Sequence, residues 1–340
     1  MYVAGTFTGT ADLDLGPGVV NRTSPGLVGY DDVFLVGYDT TAATPASNWV
    51  RTIGNTNHQG PGRLAGDSSS LYIAGHFAGT MDFAPGSAGA TLSSLTPDYV
   101  DAYVAQYAKA GGAFGWVKGF GGPRNDSTTV TPVVDEAAGA VYMGGGFYDS
   151  IDLNPASPGG EYTATGSASD GYLVRLSTAD GAYQASWRSG GPGEDGSIRP
   201  IGVRAGTVFT FGQVRGSTTF PTGGTLTNTG GNSDMFLMAL DQFVAGPAVA
   251  GSPVTLTASN FVDTNPLTTT TQMAFYADSN NDGVLDPLTD TLLGYGTQTA
   301  TGTWTLSVTF LAPGTYRLFA QGQDNLGTLS DPLALDLRVS

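Results

Sequence analysis

The chain has no cysteine, which excludes disulfides, a thiol nucleophile and a thiolate metal site. It has two histidines, His58 and His76, in 340 residues, so Ser-His-Asp chemistry has no recurring base to use. Basic residues are scarce: 13 Lys and Arg stand against 29 Asp and Glu, a formal net charge of −16. That argues against a general nucleic-acid or anionic-membrane binder, which needs clustered positive charge. Glutamate is almost missing: Glu136, Glu161 and Glu194 are the three in the chain, and the other acids are all aspartate. No run of 18 apolar residues occurs, so there is no candidate membrane-spanning helix. Residues 1–7 carry neither the basic n-region nor the apolar h-region of a signal peptide. No segment sustains the 3.6-residue apolar period of an amphipathic helix.

Glycine and short apolar bursts are what the chain does have. With 51 Gly and 19 Pro, these two types make up about a fifth of it. Hydrophobic residues at 40% are enough for a core and exclude wholesale disorder. The length gives a soft prior of about two domains.

Self-comparison shows a period near 70. Tyr2-Val3-Ala4-Gly5-Thr6-Phe7 with Asp12 matches Tyr72-Ile73-Ala74-Gly75-His76-Phe77 with Asp82, and again Tyr142-Met143-Gly144-Gly145-Gly146-Phe147 with Asp152. A decayed fourth copy runs from Phe209 to Phe220, with Gly212, with Val214 in the Phe place and Thr219 in the Asp place. A second element begins at Asp32, Asp101, Asp170 and Asp234. A third carries Trp49, Trp116 and Trp187, the last two running into Gly121-Gly122 and Gly190-Gly191. In the copy at 133–190, β-branched and aromatic bursts bounded by turn residues predict strands at Val133-Val134, Val141 to Phe147, Tyr172 to Leu176 and around Trp187. A Gly/Pro/Asn-rich excursion is predicted from Asn154 to Ser169. Four antiparallel strands per repeat is a β-propeller blade, and stacking covers faces that one blade cannot bury alone. On this reading the recurrent Gly marks a close approach or bulge, the Phe and Trp residues pack, and the recurrent Asp accepts backbone N–H bonds.

These residues resemble bacterial β-propeller repeats of the SBBP type, most clearly at residues 101–147 and over residues 1 to about 243. The resemblance implies a secreted or surface protein, often one carrying immunoglobulin-like modules. It is nearly silent on activity. The chain opens in strand two of a blade, and the fourth copy stops after strand three at Leu240-Asp241. The expectation is therefore about three and a half blades of a longer propeller, with a secretion signal upstream and an extracellular or cell-surface location.

From about residue 244 the pattern changes. Period-two runs at Val254-Leu256-Ala258, Met273-Phe275, Trp304 to Phe310, Tyr316-Leu318-Ala320 and Leu333 to Val339 predict a β-sandwich over 244–340. Pro313-Gly314-Thr315-Tyr316 predicts a tyrosine corner, its hydroxyl bonded back to the backbone. The segment resembles bacterial immunoglobulin-like domains. The fold class expected is all-β: residues 1–243 a partial propeller, residues 244–340 an Ig-like sandwich.

One motif carries chemistry. Asp278, Asn280, Asp282, Gly283, Val284 and Asp286 follow the alternating oxygen pattern of a calcium loop, with Thr289 and Asp290 where a closing ligand would fall. Alternate side-chain oxygens converge on a hard cation, Gly283 permits the turn, and the Val284 carbonyl adds a ligand. The expected Ca2+ ligands are Asp278, Asn280, Asp282, Val284, Asp286 and Asp290. The alternative is an Asp/Asn-rich turn bonding its own backbone. A weaker set, Asp12-Leu13-Asp14, Asp82-Phe83 and Asp152-Leu153-Asn154, reads as turn structure before one cation per blade.

No catalytic set emerges. His76 occupies a variable place, matched by Thr6, Gly146 and Gln213, and His58 lies in a loop. The Gly-Gly-Pro segments at 121–123 and 190–192 lack the Lys and helix of a phosphate loop. A glycosidase-type carboxylate pair among the loop aspartates is left open. The reading is a non-catalytic secreted or cell-surface scaffold, binding protein or glycan partners through propeller loops, with calcium stabilising the C-terminal domain and no membrane insertion. The alternative is a propeller enzyme, a lyase or hydrolase acting on extracellular glycans, with the sandwich as accessory.

Overall fold

A computed structural model describes residues 1–24, 31–41, 43–55, 57, 59–60, 62–85, 90–126, 131–155, 161–165, 169–191, 197–204, 207–219, 225–228, 233–240, 242–245, 248–259, 269–280, 282–300, 302–330 and 332–339. The described residues form strands and turns with no helix. The chain is all-β.

The repeat copies build small antiparallel sheets. The first has three strands, ordered Tyr2–Phe7, Asp32–Asp39, Ala46–Ile53. The second has four, ordered Arg63–Gly66, Ser70–Phe77, Asp101–Ala108, Phe114–Phe120. The third has four, ordered Val133–Asp135, Ala140–Phe147, Asp170–Ser177, Tyr183–Ser189. The fourth copy contributes Arg199–Arg204, Thr207–Val214 and Asp234–Leu240. The excursion expected after Asn154 begins earlier and has structure of its own: Ser150–Asp152 pairs with Glu161–Thr163 as a two-stranded ribbon. The same ribbon recurs as Thr10–Asp12 with Asn21–Thr23, Thr80–Asp82 with Thr91–Ser93, and Ser217–Thr219 with Thr225–Thr227.

In the first three sheets the central strands are buried on both faces, which is why they read as continuous apolar bursts. Along Ser70–Phe77, Leu71 and Ile73 join Val33, Leu35 and Ile53 of the first sheet, whereas Tyr72 and Ala74 join Val141, Met143 and Tyr172 of the third. Alternation across the pleat thus turns one face of the second sheet to each neighbour. The mid-strand glycines lie opposite aromatic residues: Gly5 opposite Phe34, Gly75 opposite Tyr103, Gly145 opposite Tyr172. A Cβ on Gly5 would stand 2.8 Å from the Phe34 ring, and one on Gly75 2.8 Å from the Tyr103 hydroxyl. The close approach is by a ring rather than by backbone. Phe7, Phe77 and Phe147 are buried and meet Phe34, Tyr103 and Tyr172 edge-on, with centroids 6.4, 6.1 and 6.4 Å apart.

Two kinds of contact join one copy to the next. The Trp49 indole N–H donates to the Lys109 carbonyl at 3.1 Å, and that of Trp116 to the Thr178 carbonyl at 3.1 Å. Both rings cover a turn glycine of the following sheet, Gly112 at φ +63° and Gly181 at φ +68°. Trp116 is buried, while Trp49 and Trp187 are half-buried. Backbone bridges pair Gly54 with Asp82, Gly121 with Asp152 and Gly190 with Thr219. Thr219 keeps the bridge because the backbone makes it. Within each of the first three sheets, the carboxylate of Asp32, Asp101 or Asp170 lies where a side chain on Gly54, Gly121 or Gly190 of the same copy would overlap it.

Contacts divide the chain into two compact units, residues 1–201 with 210–237, and residues 202–209 with 238–340. In the second, two four-stranded antiparallel sheets share one core. One is ordered Gln242–Ala245, Pro253–Ser259, Thr303–Thr309, Thr297–Ala300; the other Thr291–Tyr295, Thr270–Ala277, Gly314–Asp324, Leu333–Val339. Val254, Leu256 and Trp304 of the first meet Phe275, Leu318 and Leu337 of the second. The Tyr316 hydroxyl donates to the Ala312 carbonyl at 2.9 Å, the bond expected of the Pro-Gly-Thr-Tyr corner.

Replacing Trp116 by Ala is expected to cost about 3–5 kcal/mol of stability in urea unfolding, within the range for buried aromatic truncation. Gly181→Ala, which forces a left-handed turn on an L-residue under that ring, should add a loss of about 1–2 kcal/mol by itself. Equal stability of wild type and Trp116→Ala would remove the indole from the inter-sheet contact.

Candidate functional site

The loop at 278–290 connects strand Thr270–Ala277 to strand Thr291–Tyr295. Its aspartates are occupied with its own backbone. Asp278 Oδ2 accepts from Gly283 N at 2.9 Å, Asn280 Oδ1 from Asp282 N at 3.1 Å, and Asp282 Oδ1 from Val284 N at 2.8 Å. Asp286 Oδ1 accepts from Leu288 N at 2.9 Å. Asp290, only 7% exposed, staples the two ends, taking Ser279 N at 3.1 Å and Asp286 N at 2.9 Å. Gly283 has φ +77° with open space around it, so conformation rather than room reserves this place for glycine.

The loop tests the calcium expectation in two directions. The donor set is all oxygen, as a hard cation requires, and Asp278 Oδ1 is buried with no hydrogen-bond partner. Against that, no three carboxylate or imidazole groups stand together as metal ligands among the described residues. The Asn280 amide also donates to Asp282 Oδ2 at 2.8 Å, filling the ground between those two groups. A cation here would use the free lone pairs of Asp278, Asn280, Asp282, Asp286 and Asp290 together with the Val284 carbonyl.

The weaker aspartate set is turn structure. Asp12 Oδ1 accepts from Asp14 N and Val20 N, Asp82 Oδ1 from Ala84 N, and Asp152 Oδ1 from Asn154 N. These Asx bonds hold the chain as it leaves each ribbon strand. Asp12, which is fully exposed, has its carboxyl held below the usual range by the Val20 and Asp14 amides.

Sequence reasoning found the aspartates at the starts of the strands but missed their burial. Asp101 Oδ2 accepts from Leu95 N at 2.8 Å, and Asp170 Oδ2 from Thr165 N at 3.0 Å. Asp32, Asp101 and Asp170 are 2%, 5% and 0% exposed, and Asp126, which was not singled out at all, is 0% exposed. Burial pushes the Asp101 carboxyl up to about 6. It pushes Asp126 up to about 8, with the charges of Asp101 and Asp149 adding to the rise. The signal that could have found Asp126 is alignment: Gln59 and Asp126 stand at the same offset from Gly54 and Gly121.

Between the first two sheets lies a cavity of about 310 Å³, lined in part by Arg22, Arg51, Pro85 and Phe114. Arg51 is fixed by the Gly112 and Gly111 carbonyls at 2.8 and 3.3 Å, whereas Arg22 bonds the carbonyl of its neighbour Asn21 at 3.0 Å. Two guanidiniums in a mostly polar lining suit an anionic or hydroxyl-rich ligand. His76 lies beside Gly60 within the second sheet; His58, Glu194 and Asp195 lie outside the described residues.

No family model matches the chain, and no curated protein matches it. Among solved structures, one match is a fungal alcohol oxidase of the AA5 family in complex with copper. It is 12% identical and covers 93% of this chain and 85% of that one, with a TM-score of 0.20. A superposition at that level transfers neither fold nor activity.

The raised carboxyls fix the sign of one pH effect. A group whose pKa is higher in the folded state binds its proton more tightly there, so stability is fullest below the unfolded value near 3.8. It falls as pH rises through about 6 for Asp101 and about 8 for Asp126. Chelator-treated protein should therefore melt at lower temperature at pH 8.5 than at pH 5, in buffers of roughly equal ionic strength. Asp126→Asn should flatten the upper part of that curve. A melting temperature that rises across the interval would refute the assignment.

Proposed function

We propose that this chain is a non-catalytic scaffold whose repeats are propeller blades and whose C-terminal unit is an Ig-like sandwich, binding protein or glycan partners through blade loops. The observation that carries the reading is how the recurrent polar residues are used. Asp12, Asp82 and Asp152 hold turns, Asp32, Asp101 and Asp170 are buried beneath the next strand, and Trp49 and Trp116 join copies. What recurs builds the scaffold. What varies between copies, such as the Arg22 and Arg51 cavity, is left for recognition. The resemblance to SBBP-type repeats supports the blade reading, as does the second sheet, which meets a neighbouring sheet on each face. The Tyr316 corner supports the Ig-like one.

Calcium at Asp278, Asn280, Asp282, Val284, Asp286 and Asp290 belongs to this reading, as does an extracellular or cell-surface location, where millimolar calcium makes weak sites useful. The lone pair of Asp278 Oδ1 favours a cation over a turn that merely satisfies itself. Calorimetry on the full chain should show calcium uptake, reduced at least tenfold in affinity (about 1.4 kcal/mol) by Asp282→Ala. Absence of any difference between the two proteins ends the assignment of the loop.

Recognition is tested on a glycan array with the full chain. Binding of uronate-bearing or sulfated glycans should weaken about tenfold or more in Arg22→Ala, roughly 1.4 kcal/mol, with the melting temperature unchanged. Release of new sugar ends from any bound glycan would instead favour the lyase or hydrolase alternative.

A further inference from the structure

The interfaces between consecutive sheets contain the same set of three unanswered oxygens twice. Between the first and second sheets they are Asp32 Oδ1, Gln59 Oε1 and the Tyr103 hydroxyl; between the second and third, Asp101 Oδ1, Asp126 Oδ2 and the Tyr172 hydroxyl. All six side chains are at least 95% buried, and none of these atoms has a hydrogen-bond partner. The positions correspond: Asp32 and Asp101 open equivalent strands, Gln59 and Asp126 share one loop place, and Tyr103 and Tyr172 lie opposite the recurrent glycines Gly75 and Gly145.

At the second interface, several contacts bring the groups to one place. The Asp126 amide donates to the Val100 carbonyl at 2.7 Å, next to Asp101. Asp126 Oδ1 accepts from Tyr148 N at 3.3 Å, at the end of the strand on which Phe147 pairs with Asp170 and Gly145 with Tyr172. The Asp101 carboxylate lies over Gly121, and Asp126 Oδ2 is 3.2 Å from where a Cβ on Gly122 would be. The charges of Asp126 and Asp101 both act on the Tyr172 hydroxyl. Two glycines in succession leave this ground free of side chains.

Buried polar atoms need partners, and three oxygens without them point to something between them. At the first interface one carboxylate, one amide oxygen and one hydroxyl suit a water, which donates to two and accepts from the third. At the second, Asp126 in place of Gln59 brings a second carboxylate. Two carboxyl groups and a phenol oxygen, with no Lys or Arg bonded to either carboxyl, form an all-oxygen set that a divalent cation would suit.

We propose that the interface between the second and third sheets binds a divalent cation of the calcium class through Asp101, Asp126 and the Tyr172 hydroxyl. This site is separate from the loop at 278–290, and neither depends on the other.

The test uses the full chain with the loop silenced by Asp278→Asn and Asp282→Asn together. Calorimetry with calcium should still show one equivalent bound, and a higher melting temperature in calcium than in chelator. Asp126→Gln, which installs the residue of the first interface, should abolish both while keeping the far-ultraviolet circular dichroism. Terbium luminescence excited through tyrosine should fall at least twofold in Tyr172→Phe. A loop-silenced chain with Asp126 intact that takes up no calcium and melts identically in calcium and chelator would overturn the proposal, leaving a water-filled interface. This comparison needs no further variant, so it holds even where Asp126→Gln fails to fold.

Discussion

The sheets of the repeat region are apolar on both faces, and everything else in that region follows from covering them. The strand Ser70–Phe77 commits Leu71 and Ile73 to one neighbour and Tyr72 and Ala74 to the other. Such a sheet has no solvent face, so its stability is shared with the sheets before and after it. The inter-sheet contacts then work as a register. Trp116 finds its carbonyl and its glycine turn only if the next copy places Thr178 and Gly181 at a fixed distance along the chain. The bridge from Gly121 to Asp152 sets the same spacing from the other end of the sheet. A period near 70 is the chain length that satisfies both at once.

This is why the repeat was legible in the sequence. Its marks are residues with jobs that few others can do: a glycine beneath a ring, a tryptophan over a turn, a glycine beside a carboxylate. The ribbons were not legible because three-residue strands such as Ser150-Ile151-Asp152 are too short to show alternation, and backbone pairing makes them. The burial of Asp101 and Asp126 was hidden for a different reason. Aspartate is ordinarily exposed, and nothing local to Asn125-Asp126 says that another sheet will close over it. The candidate loop at 278–290 was legible as an Asp/Asn-rich segment, expected first as a calcium loop and otherwise as a self-bonded turn; its Asx bonds depend on spacing within a few residues. Whether its oxygens converge on an ion depends on how the two arms close, which spacing does not determine.

Aspartate outnumbers glutamate so heavily because of side-chain length. A carboxylate one carbon from the backbone reaches the amide two residues on, as Asp12, Asp82, Asp152, Asp282 and Asp286 do. Glutamate overshoots that amide. The net charge of −16 is therefore in large part the residue of turn building in a chain with many turns. It is not by itself the footprint of a cationic partner, and Arg22 and Arg51 mark a place where the chain departs from this habit.

The two cation assignments differ physically in what the ion would replace. In the loop, most side-chain oxygens already accept from a donor, chiefly backbone amides, so an ion would add to a turn that holds without it. At the interface, Asp101 Oδ1, Asp126 Oδ2 and the Tyr172 hydroxyl have no donor at all. An ion there would be the missing partner of groups from two sheets and would act on how those sheets are joined. The first kind of site would tune local order, and the second would make stacking itself depend on the surrounding medium. On that proposal, the exchange of Gln59 for Asp126 between otherwise equivalent places would decide which interface carries that dependence.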